Sequence, residues 1–159
     1  MQRIITLLAI LALNYVVNAQ SSSEKKAIKN TIETFFEGLH KGDSTLVSST
    51  LHPSIKMQTT FTDKGGEKKL ITETKEKVLI SIASKKSTDT YLEKLLSYDI
   101  KIDGNLASVW TPYEFYYNGN FSHCGANSFQ LFNNNGKWEI IYIVDMRRRD
   151  NCEALKAKK

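Results

Sequence analysis

Only two cysteines occur in the 159 residues, Cys124 and Cys152, and they form no C-x-x-C pair. Their spacing fits neither a redox motif nor a zinc site. Histidine is as scarce: His40, His52 and His123 are scattered singly along the chain. No metal or other cofactor is therefore expected. There are only two prolines, with no Pro-rich linker and no internal repeat, so nothing divides the chain into several domains. No second long apolar run follows the N-terminal one. Basic residues exceed acidic ones by little, 22 against 17, for a net charge of +5. The lysines come in clumps ("KGGEKK", "SKKS", "KAKK") interleaved with Glu, Asp and Ser. That is a solvated surface rather than the basic face with interleaved aromatics that a nucleic acid requires.

The one long apolar run is N-terminal. "MQR" gives a short basic start, "IITLLAILAL" an apolar stretch too short to span a bilayer as a helix, and "VNA" small or short residues at Val17 and Ala19. This is the pattern of a secretory leader at residues 1–19, with cleavage expected after Ala19. A membrane anchor is the weaker alternative, because the polar "QSSSEKK" follows at once. No cysteine stands at the lipoprotein position. The expectation is an exported protein, periplasmic or secreted, free of the membrane once the leader is removed. Residues 20–159 then suit one domain with one core, burying roughly two-thirds of the unfolded surface.

In an oxidising compartment an even cysteine count favours a Cys124–Cys152 disulfide, with two free thiols as the alternative. The bond would close a loop of about 29 residues and contribute roughly 3–4 kcal/mol in the chain-entropy model. It would also pin "RRRDN" over the end of a sheet.

Along the chain, "SSSEKKAIKNTIETFFEGLHKGD" is an amphipathic helix with Ile28, Ile32, Phe35, Phe36 and Leu39 on one face. Ser21 and Glu24 have capping-box spacing, and Gly42 stands where a left-handed C-cap belongs. Asp43 can cap a short second helix, "STLVSSTL", which His52-Pro53 would stop. "SIKMQTTFT" alternates as a strand through Ile55, Met57, Thr59 and Phe61. "DKGGEKK" is a turn, and "TETKEKVLISIASKK" a third helix with Val78, Leu79 and Ile82 inward. Four strands follow: "TYLEKLLSYDIKIDG" ends in one with Ile100 and Ile102 inward. "NLASVWTPYEFYYNG" and "NFSHCGANSFQLF" come next, then "NNNG" turns into "KWEIIYIVDMR". Helices first and antiparallel strands afterwards make an α+β domain.

Chemistry would sit on the two central strands. "YNGN" permits a two-residue turn or a three-residue loop with a bulge, and the two choices place opposite faces together. The apolar sets favour the three-residue loop. Ala107, Val109, Thr111, Tyr113 and Phe115 then face His123, Gly125, Asn127, Phe129 and Leu131. Phe115 lies near His123, and Thr111 near Asn127. This face is oily at one end and polar at the other, where Thr111, Tyr113, His123 and Asn127 gather. Setting Phe132 opposite Trp138 puts Cys124 near Met146 and His123 near Arg147, diagonal to Asp145. Two readings stand for Asp145: it orients the His123 imidazole, or it pairs with an arginine while His123 caps a strand end. Two also stand for "MRRR": a solvated charge run, or Arg147 holding a ligand carboxylate.

The order of these pieces, with "LHPSIKM", "SHCGANSFQLF" and "GKWEIIYIVDMRRRDNC", resembles the nuclear transport factor 2-like superfamily. It is similar in particular to the exported bacterial branch described as putative lumazine-binding. The resemblance covers about residues 24–152. It implies a cone-shaped curved antiparallel sheet wrapped around three N-terminal helices, a pocket in the cone and often a homodimer. The superfamily includes ketosteroid isomerases, dehydratases, polyketide cyclases and plain binding modules, so the fold does not choose a function. The isomerase set, an Asp base with a Tyr and a protonated Asp as oxyanion donors, has no alignable counterpart here, and no residue specifies a lumazine. The expectation is an exported domain with a pocket for a small molecule of unknown identity. Thr111, Tyr113, Phe115, His123, Asn127, Phe129, Asp145 and Arg147 would be its ligand-binding residues. One alternative is a lyase or isomerase with His123 as general acid/base beside Asp145. Another is a homodimeric interaction module.

Overall fold

A computed structural model describes residues 2–155, with side chains described for 22–153. The expected leader at 1–19, and the side chain of Ser21, lie outside the described side chains. Helix α1 (Gln2–Lys41) runs through the expected capping box rather than starting at it. Its inner face buries Ile28, Ile32, Phe35 and Phe36, with Leu39 packed at the margin. The helix ends at Gly42, whose φ of 74° lies in the left-handed region. Asp43 then caps α2 (Ser44–Thr50), its carboxylate accepting from the Leu46 amide at 2.9 Å. Helix α3 (Lys75–Ala83) starts later than its apolar pattern suggests, because Thr74 is its N-cap and accepts from the Lys77 amide. Among the described residues, no helix is long and apolar enough to cross a membrane.

Among the described residues seven strands form one sheet: β1 (Leu51–Thr62), β2 (Lys68–Glu73), β3 (Tyr91–Leu95), β4 (Asp99–Asp103), β5 (Leu106–Tyr117), β6 (Asn120–Asn134) and β7 (Lys137–Arg148). Their order is β2-β1-β7-β6-β5-β3, with β4 also on β5. The expectation of an antiparallel sheet needs one amendment. β1 runs parallel to β7 while every other pair is antiparallel, so the sheet is mixed. Strand β2 lies in what reads as the turn "DKGGEKK" and beyond it. The free edge of β5 is shared by two short strands. β4 pairs with the Leu106–Trp110 half and β3 with the Tyr113–Tyr117 half. They meet at Pro112, whose carbonyl accepts from the Leu96 amide at 2.8 Å and which has no N–H to offer that edge.

The β5–β6 register is the one the apolar sets require: Phe115 opposite His123 and Thr111 opposite Asn127. The connection differs. Tyr117 pairs with Asn120 across a two-residue Asn118-Gly119 turn, both residues at positive φ. Ser122 is then the extra residue of a bulge that restores the parity. The β6–β7 register departs from the Phe132–Trp138 pairing. Asn133 faces Trp138 across a two-residue Asn135-Gly136 turn, and a further shift falls between Gln130 and Leu131. The two displacements add, so Cys124 faces Arg148 instead of Met146.

The inner face of the sheet packs on α1. Phe35 and Phe36 meet Phe129 edge-on, at centroid distances of 6.3 and 6.1 Å. On the outer face Cys124, fully buried, is bonded to Cys152 across 5.8 Å between Cα atoms. That bond holds a short 3-10 turn (Cys152–Leu155) against the sheet.

Candidate functional site

Alternation along β5, β6 and β7 sends Tyr113, Asn127 and Asp145 to the inner face, and register sets Asn127 directly opposite Asp145. Tyr113 stands one strand further away, opposite Gly125. A Cβ at Gly125 would lie 1.8 Å from the Met146 carbonyl oxygen and 2.8 Å from the Tyr113 hydroxyl. The bare backbone lets the Tyr113 ring cross β6 and donate to Asp145 Oδ2 at 3.3 Å. Arg147 Nε donates to the same oxygen at 2.6 Å. Asp145 is thus held by a phenol and a guanidinium, not by His123.

His123 takes the other course. The two-residue displacement of β7 sets Gly125, not His123, opposite Arg147. The imidazole stacks on Phe115 at 4.8 Å, meets Tyr113 edge-on at 5.8 Å, and its Nδ1 is 3.1 Å from Ser122 Oγ. Burial, then the Arg147 charge, pushes its pKa down to about 4, so the ring is neutral near pH 7. Of the two readings for Asp145, the pairing with an arginine is the one the structure holds.

Glu93 on β3 completes the cluster, and sequence reasoning missed it. Its Oε1 accepts from Asn127 Nδ2 at 2.7 Å. Its backbone N–H donates to His40 Nε2 at 2.8 Å, which fixes the neutral His40 tautomer with the proton on Nδ1. Burial is the main cause that lowers the His40 pKa. Burial also raises the Glu93 carboxyl to about 7. Its bond from Asn127 opposes that rise, the Asp145 charge adds to it and Arg147 opposes it. The Tyr113 hydroxyl is pushed far above its ordinary range by burial and by the Asp145 and Glu93 charges, so it stays a donor. Burial works against the Arg147 charge, but Asp145 outweighs it and the guanidinium pKa is raised. The missed signal was the alternation in "YLEKL", which sends Tyr91, Glu93 and Leu95 to one face.

The remaining expected residues pack in the interior rather than on open walls. Thr111, Tyr113 and Phe129 are fully buried. Phe129 belongs to the apolar core between Phe35 and Phe36. Among the described residues the buried Thr111 hydroxyl has no hydrogen-bond partner. The open space is a groove of about 650 Å³ between α1 and the β3–β4 segment, and none of the eight expected ligand-binding residues is among its lining. Lys29, Glu33, Phe36, Glu37, His40 and Lys41 line one side, and Glu93, Leu95, Leu96, Ser97 and Tyr98 the other. Glu93 and His40 belong to both groove and cluster. Among the described residues no three His, Cys, Asp or Glu side chains converge as metal ligands.

The family model described as "Putative lumazine-binding" matches residues 23–144. The chain belongs to this putative lumazine-binding family. The match runs from α1 to β7 and includes Glu93, Asn127 and, at its last residue, the neighbour of Asp145. No curated protein sequence matches the chain. Solved structures show the same fold. A nuclear transport factor 2-like protein with a cystatin-like fold from Novosphingobium aromaticivorans has a TM-score of 0.66 at 12% identity, covering 91% of this chain and 94% of that one. One from Cytophaga hutchinsonii has a TM-score of 0.62 at 14% identity, covering 78% and 98%. A putative dehydratase of the same superfamily from Streptomyces avermitilis has 0.59 at 12% identity, covering 80% and 98%. At such identities the likeness is one of fold. That shared fold, the nuclear transport factor 2-like one, is an α+β arrangement of a curved sheet on three helices.

Proposed function

We propose that this is an exported domain that binds a small organic molecule where the Glu93–Asn127 pair meets the groove along α1. The carrying observation is Glu93 itself. Its carboxyl is drawn toward neutral pH by burial, held by one amide, and sits on the wall of the open space. Among the described residues no cation lies within ion-pair distance of it. Concave sites with a few convergent polar groups and a perturbed carboxyl are where ligands usually bind. Asn127 orients that carboxyl through its 2.7 Å bond, and Phe36, Leu95 and Tyr98 offer apolar surface. The leader pattern and the disulfide support export.

A thermal-shift screen of small polar and aromatic metabolites tests the reading. A ligand at about a hundred times its Kd stabilises the folded state by about 2.7 kcal/mol, which moves Tm by several degrees. The expected result is such a shift in the wild-type protein, lost in Asn127→Ala. Shifts that survive Asn127→Ala and Glu93→Gln unchanged would place the ligand elsewhere and contradict the proposal.

A further inference from the structure

The groove along α1 carries charge of both signs, and the pairing pattern limits what it suits. Lys29 lies 3.5 Å from Glu33, and Lys41 pairs with Glu37, each one turn along the helix. Both groove lysines are thereby matched by an acid of their own helix. Glu93, facing them from β3, is a third acid with no such match among the described residues. The groove also shows how it receives an ammonium. Lys29 Nζ sits 5.1 Å from the centroid of the Tyr98 ring while it holds Glu33, between an aromatic face and a carboxylate.

We infer that the groove binds a small organic cation, a primary amine whose ammonium meets Glu93 and whose apolar body lies on Tyr98 and Phe36. The inference rests on the reading of Glu93 and the groove as the ligand site, and adds the ligand's charge. A volume of about 650 Å³ accommodates a molecule of that size.

The groups around Glu93 support the assignment. From β7, Asp145 and Arg147 neutralise each other. From β5, Tyr113 is a neutral phenol. From β6, Asn127 is a neutral donor. From α1, His40 is neutral and takes the Glu93 backbone N–H, while Lys29, Glu33, Glu37 and Lys41 form two closed pairs. An ionised Glu93 is then the uncompensated charge, and a ligand ammonium supplies the compensation. Binding draws the carboxyl into its ionised form and releases the proton it carried. Affinity therefore rises with pH through the Glu93 titration near 7.

Calorimetric titration of the purified protein with 2-phenylethylamine, tyramine and cyclohexylmethylamine tests this, with 2-phenylethanol as the neutral comparison. At least one amine is expected to bind about tenfold more tightly at pH 8 than at pH 6, the change in ionised fraction about a pKa near 7. The alcohol should bind more weakly and without pH dependence. Glu93→Gln, with its fold checked by circular dichroism, should abolish both the amine's advantage and its pH dependence. Lys29→Gln should tighten amine binding by removing the resident competitor. Amines that fail to bind at pH 8, that bind no better than the alcohol, or that ignore Glu93→Gln would overturn the inference. If neutral compounds bind in a Glu93-dependent way while amines do not, the charge assignment falls and the ligand site stands. If no compound responds to Glu93→Gln or Asn127→Ala, both fall.

Discussion

Glu93 and His123 give the inner face two opposite pH signatures. The Glu93 carboxyl rises from 4.5 to about 7 on folding, so between those values the folded state holds the proton more tightly than the unfolded chain. Its contribution to stability is present at low pH and is lost as pH rises through 7. The His123 imidazole falls from 6.5 to about 4. The unfolded chain takes up that proton first, so stability is lost as pH falls from 6.5 toward 4. Each shift corresponds to about 3 kcal/mol at most, reduced where solvent reaches the group. Between pH 4.5 and 6.5 the two slopes oppose each other, and the wild-type profile should be nearly flat. Urea unfolding of single variants separates them. Glu93→Gln should lose stability on acidification over that range, and His123→Phe should gain it. Parallel profiles for both variants would contradict the assigned shifts. At this scale the sequence was half legible. Alternation sent Thr111, Tyr113, His123, Asn127 and Asp145 to one face. Which of them touch was not legible, because contact depends on register and on a glycine beneath a tyrosine. Glu93 was hidden in "TYLEKLLSYDIKIDG", where one strand was read and two exist, and its partner Asn127 lies 34 positions away.

At the scale of elements, the turns and bulges decide what the apolar pattern leaves open. The β5–β6 pairing could be read because one face must be apolar on both strands. A three-residue loop and a two-residue turn followed by a one-residue bulge satisfy that rule equally, since both restore parity. The β6–β7 pairing was less legible: two one-residue shifts cancel in parity, so from Gln130 to Cys124 the right faces met while each partner was displaced by two, and nearer the turn the displacement is one. Strand β2 could not be read at all. "KKLITE" lies at the edge of the sheet, and its Leu70 and Ile71 are both substantially exposed, 61% and 41%, so it shows no buried face. Deletion of Ser122 tests the bulge. Removing the one unpaired residue leaves Tyr117 opposite Asn120 and Phe115 opposite His123, so the register beyond it is preserved. The variant should keep its near-UV circular dichroism and a single cooperative unfolding transition. A molten spectrum would show that the bulge's bend, rather than its parity, is what the sheet requires.

For the whole molecule, helix periodicity and strand order made the α+β class and the three helices legible. The parallel contact of β1 with β7 was not, since it joins segments some eighty positions apart, as the Met57–Ile143 pairing shows, and no local pattern records it. The Cys124–Cys152 bond is present, with a separation of 28 residues. It secures the outer face of the sheet, opposite the groove, so its loss should lower stability and leave the site intact. Cys152→Ser is expected to cost roughly 3–4 kcal/mol by the chain-entropy relation, seen as a lower urea midpoint. Ligand-induced thermal shifts should persist in that variant below its own midpoint. Their disappearance from a folded variant would couple the two faces, which the geometry does not.

The central claim is that a small molecule sits against Glu93. Native mass spectrometry of the protein purified from a periplasmic preparation, beside Glu93→Gln handled identically, addresses it most directly. The expected spectrum shows a small-molecule adduct on the wild-type protein that Glu93→Gln lacks. The same adduct on both proteins, or none on the wild type even after incubation with a cell extract, would contradict it.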